Sequence, residues 1–151
     1  MTRGNLRELA VHLIYSQGFT GEEPAKIVDD RLNKEYYPKL SEENEVYAER
    51  PSRAQMEYID SVVGGVSNRA EELNAYIQKF SIGWDVSRIS RLTRAIMQLA
   101  IFEILYLKDV PTGVSISEAV RIAKKYDGDD TGSFVNGILG SFARSLQATE
   151  E

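Results

Sequence analysis

Residues 111–140 read PTGVSISEAVRIAKKYDGDDTGSFVNGILG, and this stretch decides the fold class of the chain. Apolar residues recur at helical spacing both before and after a short segment that is rich in acids and glycine. Ser115 and Glu118 have the spacing of a capping box, and Lys124 and Lys125 would complement the dipole at the end of the same helix. The stretch therefore predicts two helices joined by a tight polar loop.

Helical periodicity continues through most of the remaining chain. It predicts a first helix near the amino terminus, a second that starts at Pro24, and one long helix from Met56 to Phe80. Within the long helix, Gly64 and Gly65 would mark the close approach of another helix. A further helix is predicted from about Ser87 to Leu107. Since no alternating strand pattern competes, we expect an all-α fold of about seven helices.

Length and composition favour one globular domain that spans residues 1–151. The chain has 151 residues, of which 42% are hydrophobic and 27% are charged, values typical of a soluble domain. No apolar run approaches the roughly 20 residues that cross a bilayer. The chain has no cysteine, which excludes disulfides and thiolate metal sites. A cytoplasmic protein without membrane association is the simplest expectation.

Charge is unevenly distributed along the chain. The net charge is −5, yet residues 84–126 hold seven basic and four acidic side chains. Residues 34–53 combine two prolines with a run of acids, and we interpret them as an exposed, extended acidic insertion. Non-specific affinity for nucleic acid comes from neutralised phosphates. Any nucleic-acid role of this chain must therefore be local, and we expect a partner to assist it.

Enzyme chemistry finds little support in the sequence. His12 is the single histidine, and neither a serine–acid pair nor metal-ligand spacing accompanies it. The glutamates at 42, 43, 45 and 49 are typical of a solvated acidic loop rather than of a carboxylate site. We predict no catalytic residue, no metal and no cofactor.

The loop before Phe134 has two interpretations. Asp130 or Thr131 would cap the last helix by accepting hydrogen bonds from its first amides. A cap does not account for Ser133, Phe134 and Asn136, because a half-exposed aromatic ring beside amide groups suits stacking and hydrogen bonding to an unpaired base. The residues alone leave both interpretations open.

Several segments together resemble the bacterial transcription antitermination factor family NusB. They are RAIMQLAIFEI at residues 94–104, Pro111, VSISEAVRIAKKY at 114–126 and SFVNGIL at 133–139. The amino-terminal residues through Tyr15 and the segment 58–84 also fit the family pattern, so the resemblance covers nearly the whole chain. It implies an all-helical fold of two small bundles.

The resemblance also implies a function. NusB proteins bind the boxA element of ribosomal RNA leader transcripts together with NusE, a small-subunit ribosomal protein. The pair joins RNA polymerase and other Nus factors and suppresses termination. A chain similar to this family is expected to bind single-stranded boxA-type RNA without catalysing a reaction. Members of the family are monomers or dimers, so a homodimer is possible.

Candidate site residues follow from the residues and the resemblance together. We expect basic side chains to position phosphates while Phe134 and Asn136 read bases. The predicted RNA-binding residues are Arg3, Asn5, Arg7, Lys124, Lys125, Asp130, Ser133, Phe134 and Asn136. The resemblance places the NusE-facing side at Tyr15, Thr93, Arg94 and Gln98.

Two alternatives stay open at this stage. Gly4 and Asn5 lower the density of arginines at the amino terminus relative to the family pattern. This favours a module that docks a partner and has lost RNA recognition. The same domain also resembles the RNA-binding part of certain rRNA cytosine methyltransferases. The isolated chain, however, has no candidate cofactor-binding segment, so we expect no methyl transfer from it.

Overall fold

The computed structural model describes residues 1–33, 36–40, 44–83 and 89–150. These residues form eight α-helices and one 3-10 helix and contain no strand, which confirms the predicted all-α class. The α-helices are α1 Arg3–Thr20, α2 Pro24–Leu32, α3 Tyr37–Leu40, α4 Arg53–Asn68, α5 Ala70–Phe80, α6 Arg91–Tyr106, α7 Thr112–Asp127 and α8 Asp129–Glu150. The 3-10 helix spans Glu45–Tyr47.

The long helix predicted from Met56 to Phe80 is interrupted. Residue Arg69 has φ −118° and ψ 20°, outside the α-helical region, and separates α4 from α5. The chain divides at this point into two compact units, Met1–Asn68 and Arg69–Glu151. The prediction of one continuous helix is therefore wrong, while a division into two small bundles agrees with the family resemblance.

The first unit is held by α1, α2 and α4, which pack against one another in all three pairs. Its core is aliphatic: Leu9, Leu13, Ile27, Ile59 and Val63 are all buried. Each such side chain contributes about 1.5–3 kcal/mol when it leaves water. By contrast, a Cβ atom at Gly64 would meet no neighbouring element within 4 Å, so the close helix approach predicted there is absent.

The segment predicted as an extended acidic insertion folds against the first unit. Tyr37 and Val46 are buried, and Tyr37 Oη donates to the Glu49 carbonyl over 2.6 Å. Arg50 Nη2 donates to the Leu32 carbonyl over 2.6 Å. Burial raises the pKa of Tyr37 to about 12, although the nearby Arg50 opposes the shift. Tyr37 and Val46 therefore depart from the predicted exposed loop, whereas Glu49 and Arg50 are exposed; residues 34, 35 and 41–43 lie outside the described chain.

A capping box is present at a different helix from the predicted one. The Ser52 amide donates to Gln55 Oε1 over 3.0 Å, and the Gln55 amide donates to Ser52 Oγ over 3.2 Å, so this pair opens α4. The box predicted at Ser115 is wrong, because α7 already begins at Thr112, directly after Pro111. Proline before the first turn loses no helical hydrogen bond, and the helix can start there.

The second unit is built around α6, which packs against α5, α7 and α8. Every residue from Ala95 to Ile104 is buried, as expected for a helix covered on all sides. In α8, Phe142 packs edge-on against the rings of Tyr76 and Phe80, with centroid distances of 4.9 and 6.1 Å. The predicted start of α6 at about Ser87 lies outside the described residues; the helix observed begins at Arg91, with Ser90 as its cap.

None of the helices in the described part of the chain combines the length and the apolar character that a bilayer crossing requires.

Candidate nucleic-acid interface

The joint between α7 and α8 consists of a single residue, Gly128. Its φ of 93° lies in the region that side chains disfavour, so glycine is required at this point. The Gly128 amide donates to the Lys124 carbonyl over 3.1 Å, and the Gly132 amide donates back to the Gly128 carbonyl over 3.1 Å. The joint thereby ends one helix and begins the next without a loop.

Neither Asp130 nor Thr131 caps α8 in the predicted way. Both lie inside the helix, which begins at Asp129, and Thr131 Oγ1 donates to the side chain of Asp127 over 3.1 Å. The carboxylates of Asp129 and Asp130 lie in the first turn, where negative charge complements the helix dipole. The predicted cap is therefore wrong, while the acids still stabilise the start of the helix.

A cleft of about 150 Å³ opens beside this joint. It is lined by Ile89, Ser90 and Thr93 from the start of α6, and by Asp127, Asp130, Thr131 and Phe134. Phe134 is half-buried, so part of its ring remains accessible. The cleft offers an apolar surface with hydroxyl and carboxylate acceptors at its edge, which suits a planar group that carries hydrogen-bond donors.

Asn136 lies on another side of α8 from this cleft. A helix turns by about 100° per residue, so two residues separate Asn136 from Phe134 by about 200°. Ser133 and Asn136 are exposed and lie three residues apart, on one stripe of the helix surface. The residues predicted at this helix end therefore form two separate surfaces.

Lys124 and Lys125 end α7 with both side chains exposed. Lys125 Nζ lies 5.5 Å from the centroid of the Tyr126 ring. Exposed ammonium groups next to a helix N-terminus bind phosphate oxygens without great desolvation cost. The positive charge predicted for this surface is thus accessible in the second unit.

The amino-terminal candidates in the first unit differ in exposure. Thr2 caps α1 by accepting from the Asn5 amide over 3.1 Å. Arg3 is exposed and Asn5 half-buried, whereas Arg7 exposes only 9% of its area. A buried guanidinium has little surface left for phosphate. Arg3 is therefore the more accessible of the two arginines, and RNA contact by Arg7 stays a prediction.

Tyr15 belongs to an exposed aromatic pair that the sequence reasoning only half identified. Its ring stacks on that of Phe19, with centroids 6.4 Å apart and planes inclined by 16°. Phe19 exposes 65% of its area. The sequence spacing could have identified Phe19, since aromatic residues four positions apart share one helix face. Exposed aromatic pairs of this kind are typical of protein-binding surfaces.

Two of the predicted partner-binding residues are buried inside the fold. Thr93 accepts a hydrogen bond at Oγ1 from Ser90 Oγ over 2.9 Å, and its amide donates to Ser90 Oγ over 3.1 Å. Gln98 Nε2 donates to Asn74 Oδ1 over 2.9 Å and is mostly covered. Since these groups bond to their own chain and expose little area, they offer little surface to a partner, and their contact with NusE stays a prediction. Arg94 remains half-exposed.

The single histidine has a local structural contact. His12 Nδ1 lies 2.5 Å from Tyr47 Oη, which joins α1 to the 3-10 helix. Within the described ranges, no group of three or more histidine or acidic side chains is arranged to hold a metal ion.

These features define an all-helical binding protein with two bundles, an accessible basic helix end and an exposed aromatic pair. A sequence model of the NusB family matches residues 4–144. The chain belongs to the NusB family.

Relatives with established names agree with this assignment. The transcription antitermination protein NusB of Acetivibrio thermocellus is 40% identical over 144 residues, which cover 95% of this chain and 90% of the relative. The protein of the same name from Symbiobacterium thermophilum is 34% identical, and the alignment covers 97% and 92% of the two chains.

Solved structures show the same fold. T. maritima NusB aligns with a TM-score of 0.77 and 26% identity over 95% of this chain and 92% of that one. The NusB chain in a crystal structure of antitermination factors NusB and NusE with dsRNA aligns with a TM-score of 0.72 and 24% identity, covering 95% and 96%. At that identity the second match supports the fold alone.

Proposed function

We propose that this chain is a transcription antitermination factor that binds boxA-type RNA of ribosomal leader transcripts together with NusE. Its place would be in the complex of RNA polymerase with other Nus factors, and it would act in the cytoplasm and without catalysis. Family membership supports the general role, since the curated relatives are named transcription antitermination proteins. One observation carries the RNA contact: half-buried Phe134 lines a cleft whose lining also includes Asp127, three and two residues after the exposed Lys124 and Lys125.

The RNA contact divides into phosphate binding and base recognition. Lys124, Lys125 and Arg3 are the accessible cations of the predicted site, and they would hold phosphates. The Phe134 ring would stack on one unpaired base, while Asp130 at the same cleft would accept from base amino or imino groups. Ser133 and Asn136 would bind the strand on the neighbouring stripe of α8.

The partner contact rests on other residues, which are described for each unit separately. In the first unit, Tyr15 and Phe19 present two parallel rings to solvent on the last turns of α1. In the second unit, Arg94 is half-exposed on α6. We assign the NusE contact to these residues. The chain carries a net charge of −5, so a cationic partner would supply the positive potential that RNA requires.

Fluorescence anisotropy with a labelled boxA oligonucleotide tests the proposal. We expect weak binding by the chain alone and binding at least about tenfold tighter when NusE is present. A scrambled oligonucleotide of equal length is the matched control and should bind no more tightly with NusE than without it. Equal boxA affinity with and without NusE would refute the partner-assisted mechanism, and no boxA binding under either condition would refute the RNA function.

The burial of Arg7 favours one second candidate, a module that docks NusE without recognising RNA. Gly4 and Asn5 already thin the cationic amino terminus, and the loss of Arg7 leaves Arg3 as the exposed arginine of the predicted set. In that case the chain would bind NusE with normal affinity, yet adding the chain to NusE would not raise its affinity for boxA above that for the scrambled oligonucleotide.

A further inference from the structure

The side chain of Lys124 lies across the first turns of α8, directly on Gly132. A Cβ atom at Gly132 would collide with Lys124 Cγ, and it would lie 2.9 Å from Cε and 3.2 Å from Cδ. Real Cβ atoms do not tolerate such contacts with a fixed neighbour. The lysine stem can occupy this path because position 132 has no side chain.

Gly132 is buried although the lysine that covers it is exposed. Long charged side chains commonly lay their methylene groups on a surface while the ammonium group stays in water. Gly132 precedes Asn136 by four residues, so the two lie on one face of α8. The stem of Lys124 thus lies on α8 one turn before Asn136.

A helix interior is an unfavourable place for glycine, since alanine there would strengthen α8. Gly137, in the same helix, has no atom of another element within 4 Å of a Cβ position. At Gly132, in contrast, the missing methyl group has a definite structural effect. It leaves room for the Lys124 side chain to lie on α8.

We propose that Gly132 is a positioning residue for RNA binding: it holds Lys124 along the polar stripe of α8, where the ammonium group meets a phosphate beside the base bound at Ser133 and Asn136. This inference rests on the proposed RNA function. An alanine at position 132 would turn Lys124 away from that stripe without changing the charge of the protein.

The test compares Gly132→Ala with Gly137→Ala, a matched change in the same helix. Affinity for boxA RNA with NusE is measured over a series of salt concentrations. We expect Gly132→Ala to weaken binding about fivefold, as Lys124→Ala does, and to lower the salt slope by about 0.7 for one lost single-strand phosphate contact. Gly137→Ala should bind as the parent chain does, and Gly132→Ala should add no further loss to Lys124→Ala.

Two structural readouts accompany the affinities. Nuclear Overhauser contacts between the Gly132 α-protons and the Lys124 methylene protons are expected in the parent chain, and their absence would overturn the inference. Thermal unfolding should show both alanine variants at least as stable as the parent. The inference would also be overturned if Gly132→Ala melted at a lower temperature and adding Lys124→Ala restored its stability without changing boxA affinity. The contact would then serve packing alone.

The binding outcomes separate this inference from the proposed function. Normal affinity of Gly132→Ala beside weakened Lys124→Ala would overturn the positioning role and leave RNA binding intact. Unchanged affinity of Lys124→Ala would do the same, because the lysine would then contact no phosphate. Failure of the parent chain with NusE to bind boxA would overturn the proposed function and the inference together.

Discussion

Ser115 Oγ donates a hydrogen bond to Glu103 Oε1 over 3.0 Å, and both side chains are buried between α6 and α7. A buried carboxylate needs such donors, because an unsatisfied polar group in the interior costs more than a hydrogen bond gains. The serine that the sequence suggested as a helix cap is thus a core residue of the second unit.

Ser115→Ala should therefore destabilise the fold. We expect the free energy of unfolding to fall by about 1–3 kcal/mol, since Glu103 loses a donor where water cannot replace it easily. Ser117→Ala is the control, because the exposed Ser117 hydroxyl only donates to the Val114 carbonyl of its own helix. Urea unfolding compares the two variants, and equal stability of both would contradict a buried pairing.

The buried Tyr37 predicts a defined dependence of stability on alkaline pH. Its pKa is raised to about 12 in the folded protein, whereas an unfolded tyrosine titrates near pH 10. The contribution of the neutral phenol is fully present below about pH 10 and is lost as the pH rises through about 12.

Tyr37→Phe isolates this effect. At pH 8 the variant should be about 1 kcal/mol less stable than the parent, because the hydrogen bond to the Glu49 carbonyl is lost. Between pH 10 and 12 this difference should shrink, since phenylalanine has no proton to lose. Tyr36→Phe, at an exposed tyrosine, provides the control in pH-dependent urea unfolding; a constant stability difference would contradict the raised pKa.

The two amino-terminal arginines should separate binding from folding. Arg3→Ala removes an exposed cation, so we expect boxA affinity with NusE to fall and the salt slope to decrease, with little change in stability. Arg7→Ala removes a buried side chain, and we expect a lower melting temperature. Fluorescence anisotropy and thermal unfolding of both variants check this assignment. It fails if Arg3→Ala lowers the melting temperature while Arg7→Ala lowers only the boxA affinity.

Phe134 and Asn136 should contribute to RNA binding independently. Phe134→Leu removes a stacking surface and should weaken boxA binding by about 1–3 kcal/mol, whereas Phe134→Tyr should retain most of the affinity. Since Asn136 lies on another side of α8, the losses from Phe134→Leu and Asn136→Ala should add in the double variant. A strong deviation from additivity would contradict independent contacts, because it would mean that the two residues act together on the same part of the RNA.

The aromatic pair on α1 predicts a selective loss of partner binding. Substituting both Tyr15 and Phe19 with serine should weaken NusE binding by tenfold or more, which is about 1.4 kcal/mol, while the thermal stability changes little because both rings are exposed. Tyr36→Ser is a matched change at another exposed ring of the same unit. Titration calorimetry with NusE should distinguish the variants; equal affinities would remove α1 from the interface.

Periodicity predicted the helices well where one face is buried, as in α1, α2 and α8. It failed at Arg69, because a single non-helical residue between two amphipathic segments leaves the apolar spacing almost undisturbed. The folded segment around Tyr37 and Val46 was missed for a related reason. Its few buried residues are held by hydrogen bonds to distant carbonyls, which no local pattern reveals.

The candidate site was predictable to the level of the helix end and no further. Phe134 and Asn136 were correctly placed near the start of α8, and their two-residue spacing already separates them by about 200° on any helix; the cleft beside Phe134 was not predictable, because it also needs residues from the start of α6. The burial of Arg7, Thr93 and Gln98 depends on packing within the folded chain. Charge and polarity in a sequence do not distinguish a binding residue from a polar residue satisfied in the core.

Because Gly128 alone joins α7 to α8, it sets the angular position of the α8 side chains relative to those of α7. Inserting one residue there would rotate the surface of α8 by about 100° relative to α7, and would carry Gly132 away from the Lys124 side chain that lies on it. We therefore expect an insertion or a deletion at this position to be tolerated poorly. A tag, a linker or a circular permutation belongs elsewhere in the chain, because at this joint chain length itself determines which side chains share a surface.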